Sequence, residues 1–247
     1  MFIYQLLIEY DGTNYNGWQK QKNGKSIQET VEKTLKKILK NKINLYGSGR
    51  TDAGVHAISQ SAHFSVDFKI INKISFLNSI NFFLKNKKIS ILDIKLKPKN
   101  FHARFSAKKR IYEYILINRQ APLSLEHNKA WHIKKPLNID LMKKGAKLLL
   151  GTKDFSTFRS ASCGAKSPIR TLKTAKVYKL NEKKIIFLFE SKSFLQQQVR
   201  SMVGCLKYLG EQKWDLKKFK RVLKLKNRSL CAPPAPACGL YLKKVFY

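Results

Sequence analysis

Acidic residues are scarce in this chain. It has 15 Asp and Glu residues against 50 Lys and Arg residues, which gives a formal net charge of +35 over 247 residues. Repulsion on this scale destabilises a compact state, so the composition predicts a polyanionic partner such as a nucleic acid. A general drift toward lysine would produce the same excess, and the two explanations are compatible.

Cysteine is also sparse, and its spacing excludes the common metal-binding motifs. No Cys-x-x-Cys pair or His-Glu-x-x-His pattern occurs, and the five histidines offer no matching ligand spacing, so we expect no metal site. Four cysteines favour reduced thiols in an intracellular chain over a disulfide scaffold. These cysteines are Cys163, Cys205, Cys231 and Cys238.

Long apolar runs are absent as well. No run approaches the roughly 20 residues that cross a bilayer. Residues 1–12 lack the basic region and the apolar run of a signal peptide, and they are typical of a strand that ends in an Asp-Gly turn. We therefore expect a cytoplasmic protein without membrane association.

The hydrophobic content of 43% is enough for a core, and its periodicity predicts an alternation of strands and helices in the first half. Ser26 and Glu29 have the spacing of a capping box at the start of the first helix. Beyond the N-terminal strand and this helix, the predicted elements are strands near 43–48, 60–66 and 89–96, and a helix near 73–85.

The second half repeats this order. Its helix near 139–150 is predicted to end at Gly151, a favourable C-cap residue. Residues 232–237 contain three prolines and are predicted to form an extended connector. The remaining predicted elements are strands near 106–118, 170–180, 184–192 and 239–246, and helices near 195–210 and 215–225. The helix near 195–210 is predicted to bury one apolar face, which consists of Val199, Met202, Val203, Leu206 and Leu209.

Each half is thus predicted to be strand-helix-strand-strand-helix-strand, which is the split βαβ order. We expect an α+β protein with two ferredoxin-like halves, whose mixed sheets are flanked by helices around a central basic cleft. Pro98 and the polar residues around it suggest a junction. The expected lobes are residues 1–105 and residues 106–247.

Residues 47–57, GSGRTDAGVHA, form the most informative segment. The spacing of Gly49 and Gly54 is that of a phosphate-binding loop, but Val55 and His56 replace the required Lys and Ser or Thr. The dinucleotide-binding pattern fails too, so no cofactor is expected. Asp52 is ionised at neutral pH and is a candidate nucleophile, although a tight turn with an Asp cap would also explain it.

This segment closely resembles the active-site loop of the bacterial tRNA pseudouridine synthase A family, whose Gly-Arg-Thr-Asp-Ala-Gly-Val-His string carries the nucleophile. The resemblance implies that Asp52 is the nucleophile and that the first lobe carries it. Because the base must leave the helical stack to be reached, Arg50 is a candidate to fill the vacated space or to contact the RNA backbone. The family isomerises uridine to pseudouridine without a cofactor, and its fold has paired mixed sheets flanked by helices.

Two further blocks carry the resemblance in the second lobe. Tyr112, in block 101–115, matches the tyrosine that stacks on the target base; packing within a strand is the alternative. Arg200, in block 194–204, matches the ion-pair partner of the catalytic aspartate; a solvated arginine at a helix edge is the alternative. The expected RNA-binding residues are Arg50, Tyr112, Lys108, Lys109 and Arg110.

By resemblance, the predicted substrates are uridines 38, 39 and 40 in the anticodon stem-loop of tRNA, and the predicted assembly is a homodimer. Attack at C1′ of the ribose, attack at C6 of the uracil and deprotonation of C2′ all remain open. The alternatives in function are a pseudouridine synthase with a different RNA target and a non-catalytic basic RNA-binding module.

Overall fold

The computed structural model describes all residues, 1–247, and divides them into two compact units. The first contains residues 1–108 and 241–247, and the second contains residues 109–240. The first unit thus includes most of the C-terminal strand, which the sequence prediction assigned to the second lobe. Both units combine strands with helices, which places the chain in the α+β class as expected.

Strands and helices alternate along most of the chain. The strands are β1 (Phe2–Tyr10), β2 (Tyr46–Gly47), β3 (His56–Val66), β4 (Ile89–Lys97), β5 (Lys109–Asn118), β6 (Trp131–Ile133), β7 (Gly151–Asp154), β8 (Ile169–Lys179), β9 (Lys184–Ser191) and β10 (Leu240–Phe246). The helices are α1 (Ile27–Leu39), α2 (Lys73–Leu84), α3 (Ile139–Lys147), α4 (Gln198–Gly210) and α5 (Leu216–Lys224). None of these helices is long and apolar enough to cross a bilayer.

The sheet of the first unit has the strand order β4-β1-β3-β10. Strand β1 runs antiparallel to both β3 and β4, whereas β10 runs parallel to β3. The short β2 also pairs with β3, at Ala62 and His63. Because β2 and β3 flank residues 48–55, this sheet holds both ends of the Asp52 loop.

Buried side chains hold the strands of the first sheet together, and a capping residue fixes the start of helix α1. Tyr4 and Leu6 of β1 are fully buried and lie opposite Phe64 and Ala62 of β3. The Ser26 side chain accepts a hydrogen bond from the Glu29 amide at 3.3 Å, which confirms the Ser26 half of the predicted capping box. The Glu29 carboxylate instead pairs with Lys33 at 2.9 Å.

The sheet of the second unit has the strand order β5-β9-β8-β7, and β6 pairs in parallel with β5. The predicted apolar stripe of α4 is confirmed, because its five residues are all buried. These are Val199, Met202, Val203, Leu206 and Leu209. Helix α3 lies close to α4 at Gly145, where a β-carbon would come 3.0 Å from Leu206 and nearer still to Leu209.

The prediction of several element boundaries was wrong. Helix α3 ends at Lys147, and Gly151, with φ of +89°, opens strand β7 instead of capping the helix. Strand β3 begins at His56, before the predicted start, because Tyr241 of β10 pairs with it there. Strand β5 begins at Lys109, after the predicted start near residue 106.

Candidate active site

The loop of residues 48–55 is held on the first unit by contacts on both sides of Asp52. Thr51 is buried, and its hydroxyl group lies 2.8 Å from the hydroxyl group of Tyr10. The Trp18 amide donates to the Thr51 carbonyl oxygen at 3.1 Å. Beyond Asp52, the Gly54 amide donates to the Tyr15 carbonyl oxygen at 3.3 Å. The loop is therefore bonded to the segment that follows β1.

Two glycines let the segment that follows β1 pack its main chain directly against the main chain of the loop. A β-carbon on Gly12 would overlap the Val55 carbonyl oxygen. A β-carbon on Gly17, where φ is +86°, would lie 2.5 Å from the Thr51 carbonyl oxygen and 3.0 Å from the carbonyl carbon of Asp52. The close packing of main chain on main chain thus fixes the backbone at Asp52 itself.

A buried glutamine holds the start of the loop. The Ser48 hydroxyl group donates to Oε1 of Gln60 at 2.7 Å, and Nε2 of Gln60 donates to the Gly49 carbonyl oxygen at 2.9 Å. The Ser48 amide donates to the Ser61 carbonyl oxygen at 2.7 Å. Because Gln60 is fully buried, water does not compete for these bonds.

The loop presents two charged side chains. Asp52 is half-buried, and Arg50 is exposed with its Nε donating to Oε1 of Gln19 at 3.2 Å. A carboxylate on a rigid main chain can act as a nucleophile or as a base. An exposed guanidinium group can reorient toward a phosphate or into the space of a displaced base.

A second carboxylate lies near the end of the loop. His56 Nδ1 is 3.1 Å from the Gly12 amide and 3.2 Å from Oδ1 of Asp11. A neutral ring accepts the Gly12 proton, whereas a protonated ring would donate to Asp11. Burial raises the pKa of Asp11, but hydrogen bonds from Thr13 and electrostatic interactions with His56 and Lys88 outweigh it, so the pKa lies below its ordinary value.

In the second unit, Arg200 near the start of α4 is tied to the proline-rich connector. Its Nε donates to the Ala235 carbonyl oxygen at 2.7 Å, and the Ala235 amide donates back to the Arg200 carbonyl oxygen at 2.9 Å. A β-carbon on Gly204 would overlap the Pro233 carbonyl oxygen, so the connector lies directly on the helix. These contacts fix the direction of the guanidinium group.

Two tyrosines of β5 have different surroundings. Tyr112 is 7% exposed and meets the Phe194 ring edge-on, with 5.1 Å between ring centroids and an interplanar angle of 83°. Tyr114 is fully buried, and its hydroxyl group donates to the Pro236 carbonyl oxygen at 2.9 Å. Burial raises the pKa of Tyr114 well above its ordinary value, with Cys238 adding to the effect and Arg200 opposing it.

A sequence profile described as tRNA pseudouridine synthase matches residues 6–106 and 146–247. The chain belongs to this family. The tRNA pseudouridine synthase A of Pelagibacter ubique (strain HTCC1062) is 61% identical over 247 residues, which is 100% of both chains.

Further relatives in the family are less similar in sequence, and their matches also cover nearly the whole of both chains. The tRNA pseudouridine synthase A of Neorickettsia sennetsu is 44% identical over 244 residues, 99% of each chain. That of Paramagnetospirillum magneticum is 43% identical, over 99% of this chain and 94% of the relative. A crystal structure of a Cbf5-Nop10-Gar1 complex matches 83% of this chain and 45% of that chain, with 11% identity and a TM-score of 0.37.

The residues that resemble the family's catalytic groups are divided between the two units. Asp52 and Arg50 lie on one loop of the first unit, and Tyr112 and Arg200 lie in the second. No group of three or more His, Cys, Asp or Glu side chains is placed to hold a metal ion.

The three basic residues predicted to bind RNA differ in exposure. Lys108 is exposed. Nζ of Lys109 lies 3.5 Å from the Glu190 carboxylate, and Arg110 is 7% exposed and donates through Nη1 to the Lys192 carbonyl oxygen. Arg110 thus uses one of the five donors of its guanidinium group on the protein main chain.

Sequence reasoning missed the residues that position the loop. Gln60 lies on the same buried face of β3 as Ala62, Phe64 and Val66. A polar residue among these apolar ones could have indicated from the sequence that Gln60 has a special role. The contact between Tyr10 and the loop joins residues that are far apart in the sequence, so no local sequence pattern could have predicted it.

Proposed function

We propose that this protein converts uridine to pseudouridine at positions 38, 39 and 40 in the anticodon stem-loop of tRNA. Its membership of the family and its full-length similarity to proteins named tRNA pseudouridine synthase A support the reaction and the substrate. The observation that carries the proposal is the GRTDAG loop, whose main chain is bonded on both sides of Asp52.

In this proposal Asp52 is the catalytic group. Its carboxylate attacks C1′ of the ribose or C6 of the uracil, or removes a proton from C2′. The bond between C1′ and N1 breaks, the uracil rotates, and C1′ bonds to C5, which loses its proton while N1 gains one. This isomerisation involves no net oxidation or reduction, so the reaction requires no redox cofactor.

The target base must leave the helical stack before Asp52 can reach it. Extrusion costs a few kcal/mol, less where the base is weakly paired. Arg50 is exposed, and we assign it to the vacated space or to the RNA backbone. Tyr112 stacks on the extruded base and moves a proton, and Arg200 is the ion-pair partner that orients the Asp52 carboxylate. The contact between Arg200 and Ala235 supports a fixed guanidinium group.

The finer architecture also belongs to the proposal. Strand order β4-β1-β3 with β2 on β3, together with α1 and α2, supports a split βαβ arrangement for the first unit. We assign the nucleophile to a lobe of residues 1–105 and the partner residues to a lobe of residues 106–247, with a basic cleft as the site of RNA binding. The active form is a homodimer in the cytoplasm.

The tRNA backbone is proposed to bind exposed cations. Lys108 is the most accessible of the three predicted contacts, and Lys109 and Arg110 contribute once phosphate replaces Glu190 and the Lys192 carbonyl group. Helix α5 adds exposed cations, with no acidic residue between its first and last positions. These are Lys217, Lys218, Lys220, Arg221 and Lys224.

The substitution Asp52→Asn tests the proposal. The variant is expected to fold and to bind tRNA but to release no tritium from tRNA labelled at C5 of uridine. The matched control Asp93→Asn removes the same charge from strand β4, where Asp93 pairs with Lys95 at 3.1 Å, and it should retain full release. Release at the wild-type rate from Asp52→Asn would refute the assignment of the nucleophile.

Mapping pseudouridine in RNA from cells that lack the gene separates the remaining alternatives. Loss at tRNA positions 38–40 supports the proposed substrate. Loss at another position keeps the chemistry and changes the target, whereas unchanged modification together with no tritium release by the wild-type protein would favour a non-catalytic RNA-binding module.

A further inference from the structure

Two of the four cysteines lie in contact in the second unit. The sulfur atoms of Cys205 and Cys231 are 3.5 Å apart, and both cysteines are free thiols. Cys205 lies on α4 and is fully buried, whereas Cys231 follows a short 3-10 turn at residues 228–230 and is half-buried. A disulfide requires a bond of about 2.05 Å, so a small approach of two existing neighbours would close it.

The surroundings give the two sulfur atoms different chemistry. Arg228 donates through Nη1 to the Ser201 hydroxyl group at 2.7 Å. A hydrogen bond from Cys205 lowers the pKa of Cys231; burial opposes this, and Arg228 and Ser201 lower the pKa further. The hydrogen bond with Cys231 and burial raise the pKa of Cys205. The partly exposed sulfur is therefore the better nucleophile, because the thiolate is the reactive form.

We propose that Cys231 and Cys205 form a peroxide-sensitive dithiol site that closes to a disulfide. The Cys231 thiolate attacks one oxygen of hydrogen peroxide, the O–O bond breaks, and hydroxide leaves and is protonated to water. Cys231 is then a sulfenic acid. The Cys205 sulfur displaces the sulfenic hydroxyl group, which leaves as a second water with the Cys205 proton. Two thiols and one peroxide thus give one disulfide and two waters.

The position of this pair links it to the residues that hold Arg200. Cys205 follows Arg200 on α4, and Cys231 precedes Ala235 on the connector. The helix and the connector are already joined by the two hydrogen bonds between Arg200 and Ala235. A disulfide would add a covalent link between the same two segments. Transient disulfides of this kind are compatible with a reducing compartment.

The remaining cysteines provide internal controls, because they are free thiols of similar exposure to Cys231. Cys238 lies with its sulfur 3.6 Å from the Ala130 carbonyl oxygen, and Cys163 is half-buried. If Cys205 and Cys231 were only packed together, peroxide would oxidise the half-buried thiols without preference for this pair.

The test treats the folded wild-type protein with hydrogen peroxide, blocks the remaining thiols, and maps the peptides by mass spectrometry. The expected product is a peptide pair that links Cys205 to Cys231, formed at least about tenfold faster than oxidation of Cys163 and reversed by dithiothreitol. Oxidation of Cys163 first, or a disulfide that includes Cys163 or Cys238, would overturn the proposal.

Two variants assign the roles within the pair. Cys231→Ser should abolish the disulfide and leave Cys205 unreactive, because Cys205 is buried. Cys205→Ala should leave a sulfenic acid on Cys231 that dimedone traps. If Cys205→Ala fails to fold, the wild-type peptide map and Cys231→Ser still decide the matter. Dimedone labelling of Cys205 in Cys231→Ser at the rate expected for Cys231 would contradict the assignment.

Discussion

The hydroxyl group of Ser48 donates a hydrogen bond to the side-chain oxygen of Gln60 at 2.7 Å. Gln60 also donates to the Gly49 carbonyl oxygen and is fully buried beneath the start of the loop. A single amide side chain thus satisfies two polar groups of the segment that leads to Asp52. We regard Gln60 as a positioning residue for the proposed nucleophile.

The Met side chain is similar in shape to that of Gln, so Gln60→Met is expected to keep the packing beneath the loop. It loses the hydrogen bonds of the Gln60 amide to Ser48 and Gly49. Because the partners remain buried, the variant should lose about 2 kcal/mol of unfolding free energy. A misplaced loop should also lower the turnover rate by roughly tenfold to hundredfold, with a smaller change in KM. Urea unfolding and single-turnover pseudouridine formation measure the two effects.

Gln5→Met is the matched control. Gln5 is 5% exposed and donates to the Ser61 hydroxyl group at 2.8 Å, but it has no bond to the loop. Its loss should cost about 1 kcal/mol and leave the turnover rate unchanged. An equal loss of turnover in both variants would show that the effect of Gln60 is general destabilisation.

Gly17→Ala should disturb the loop from its other side. A methyl group there meets the Thr51 carbonyl oxygen at 2.5 Å, and φ of +86° is itself unfavourable for alanine. We expect a loss of about 3 kcal/mol from strain and overlap together, and a lower turnover rate.

Gly151→Ala separates these two contributions. Gly151 has a similar φ of +89°, but a β-carbon there would have only Nζ of Lys153 nearby, at 3.9 Å. This variant should lose about 1 kcal/mol from backbone strain alone and keep its activity. Similar losses for the two glycines in thermal or urea unfolding would argue against the overlap at Gly17.

The sequence predicted those elements whose signals are local. The cap of α1 at Ser26, the buried stripe of α4 and the loop around Asp52 depend on residues close together in the chain. Periodicity and capping act over a few residues, so they are visible without a structure.

The features that the sequence did not predict depend on contacts between residues that are far apart in the chain. At its early start, His56 of β3 pairs with Tyr241, which lies about three quarters of the chain away. The Tyr10 contact with Thr51, the anchor of Arg200 at Ala235 and the burial of Arg110 are likewise tertiary contacts. No pattern within one segment encodes them, and the contacts that position the proposed active-site residues are of this kind.

The hydroxyl groups of Tyr10 and Thr51 should prove coupled. They lie 2.8 Å apart, and both residues are buried. Tyr10→Phe and Thr51→Val should each lose about 1–2 kcal/mol, because each leaves one hydroxyl group without its partner. The double variant should lose about 1 kcal/mol less than the sum of the two. Strict additivity in urea unfolding would contradict the contact.

Helix α5 should contribute to the salt dependence of tRNA binding. Replacing Lys217, Lys220 and Lys224 by Gln should lower the slope of log affinity against log salt by up to about 2–3, because each phosphate that is no longer neutralised changes it by about 0.7–0.9. Filter binding between about 50 and 200 mM salt, the range in which such interactions weaken, measures the slope.

The control for α5 is the basic face of α1. Lys33 and Lys36 of α1 and its C-cap residue Lys40 match the three lysines of α5 in number. Helix α1 also carries Glu29 and Glu32, and Lys33 pairs with Glu29 at 2.9 Å. Replacing Lys33, Lys36 and Lys40 by Gln should change the slope by less than about 1. Equal changes for both helices would indicate a diffuse charge effect.

His63 should make the protein less stable in mild acid. Burial lowers the pKa of His63 to about 4, and the nearby His102 adds to the effect. The unfolded chain therefore takes up a proton as the pH falls below about 6.5, while the folded protein does so only near the lower value. The unfolding free energy should fall by up to about 3 kcal/mol across this window and be fully retained above it.

His63→Asn isolates this contribution from the carboxylates that titrate nearby. Nδ1 of His63 accepts a hydrogen bond from the Ala103 amide at 3.1 Å, and the asparagine oxygen can accept the same bond without titrating. Urea unfolding at pH 7 and pH 4.5 should show a smaller loss of stability for the variant than for the wild-type protein. If both proteins lose the same free energy, His63 binds its proton equally well in the folded and unfolded states.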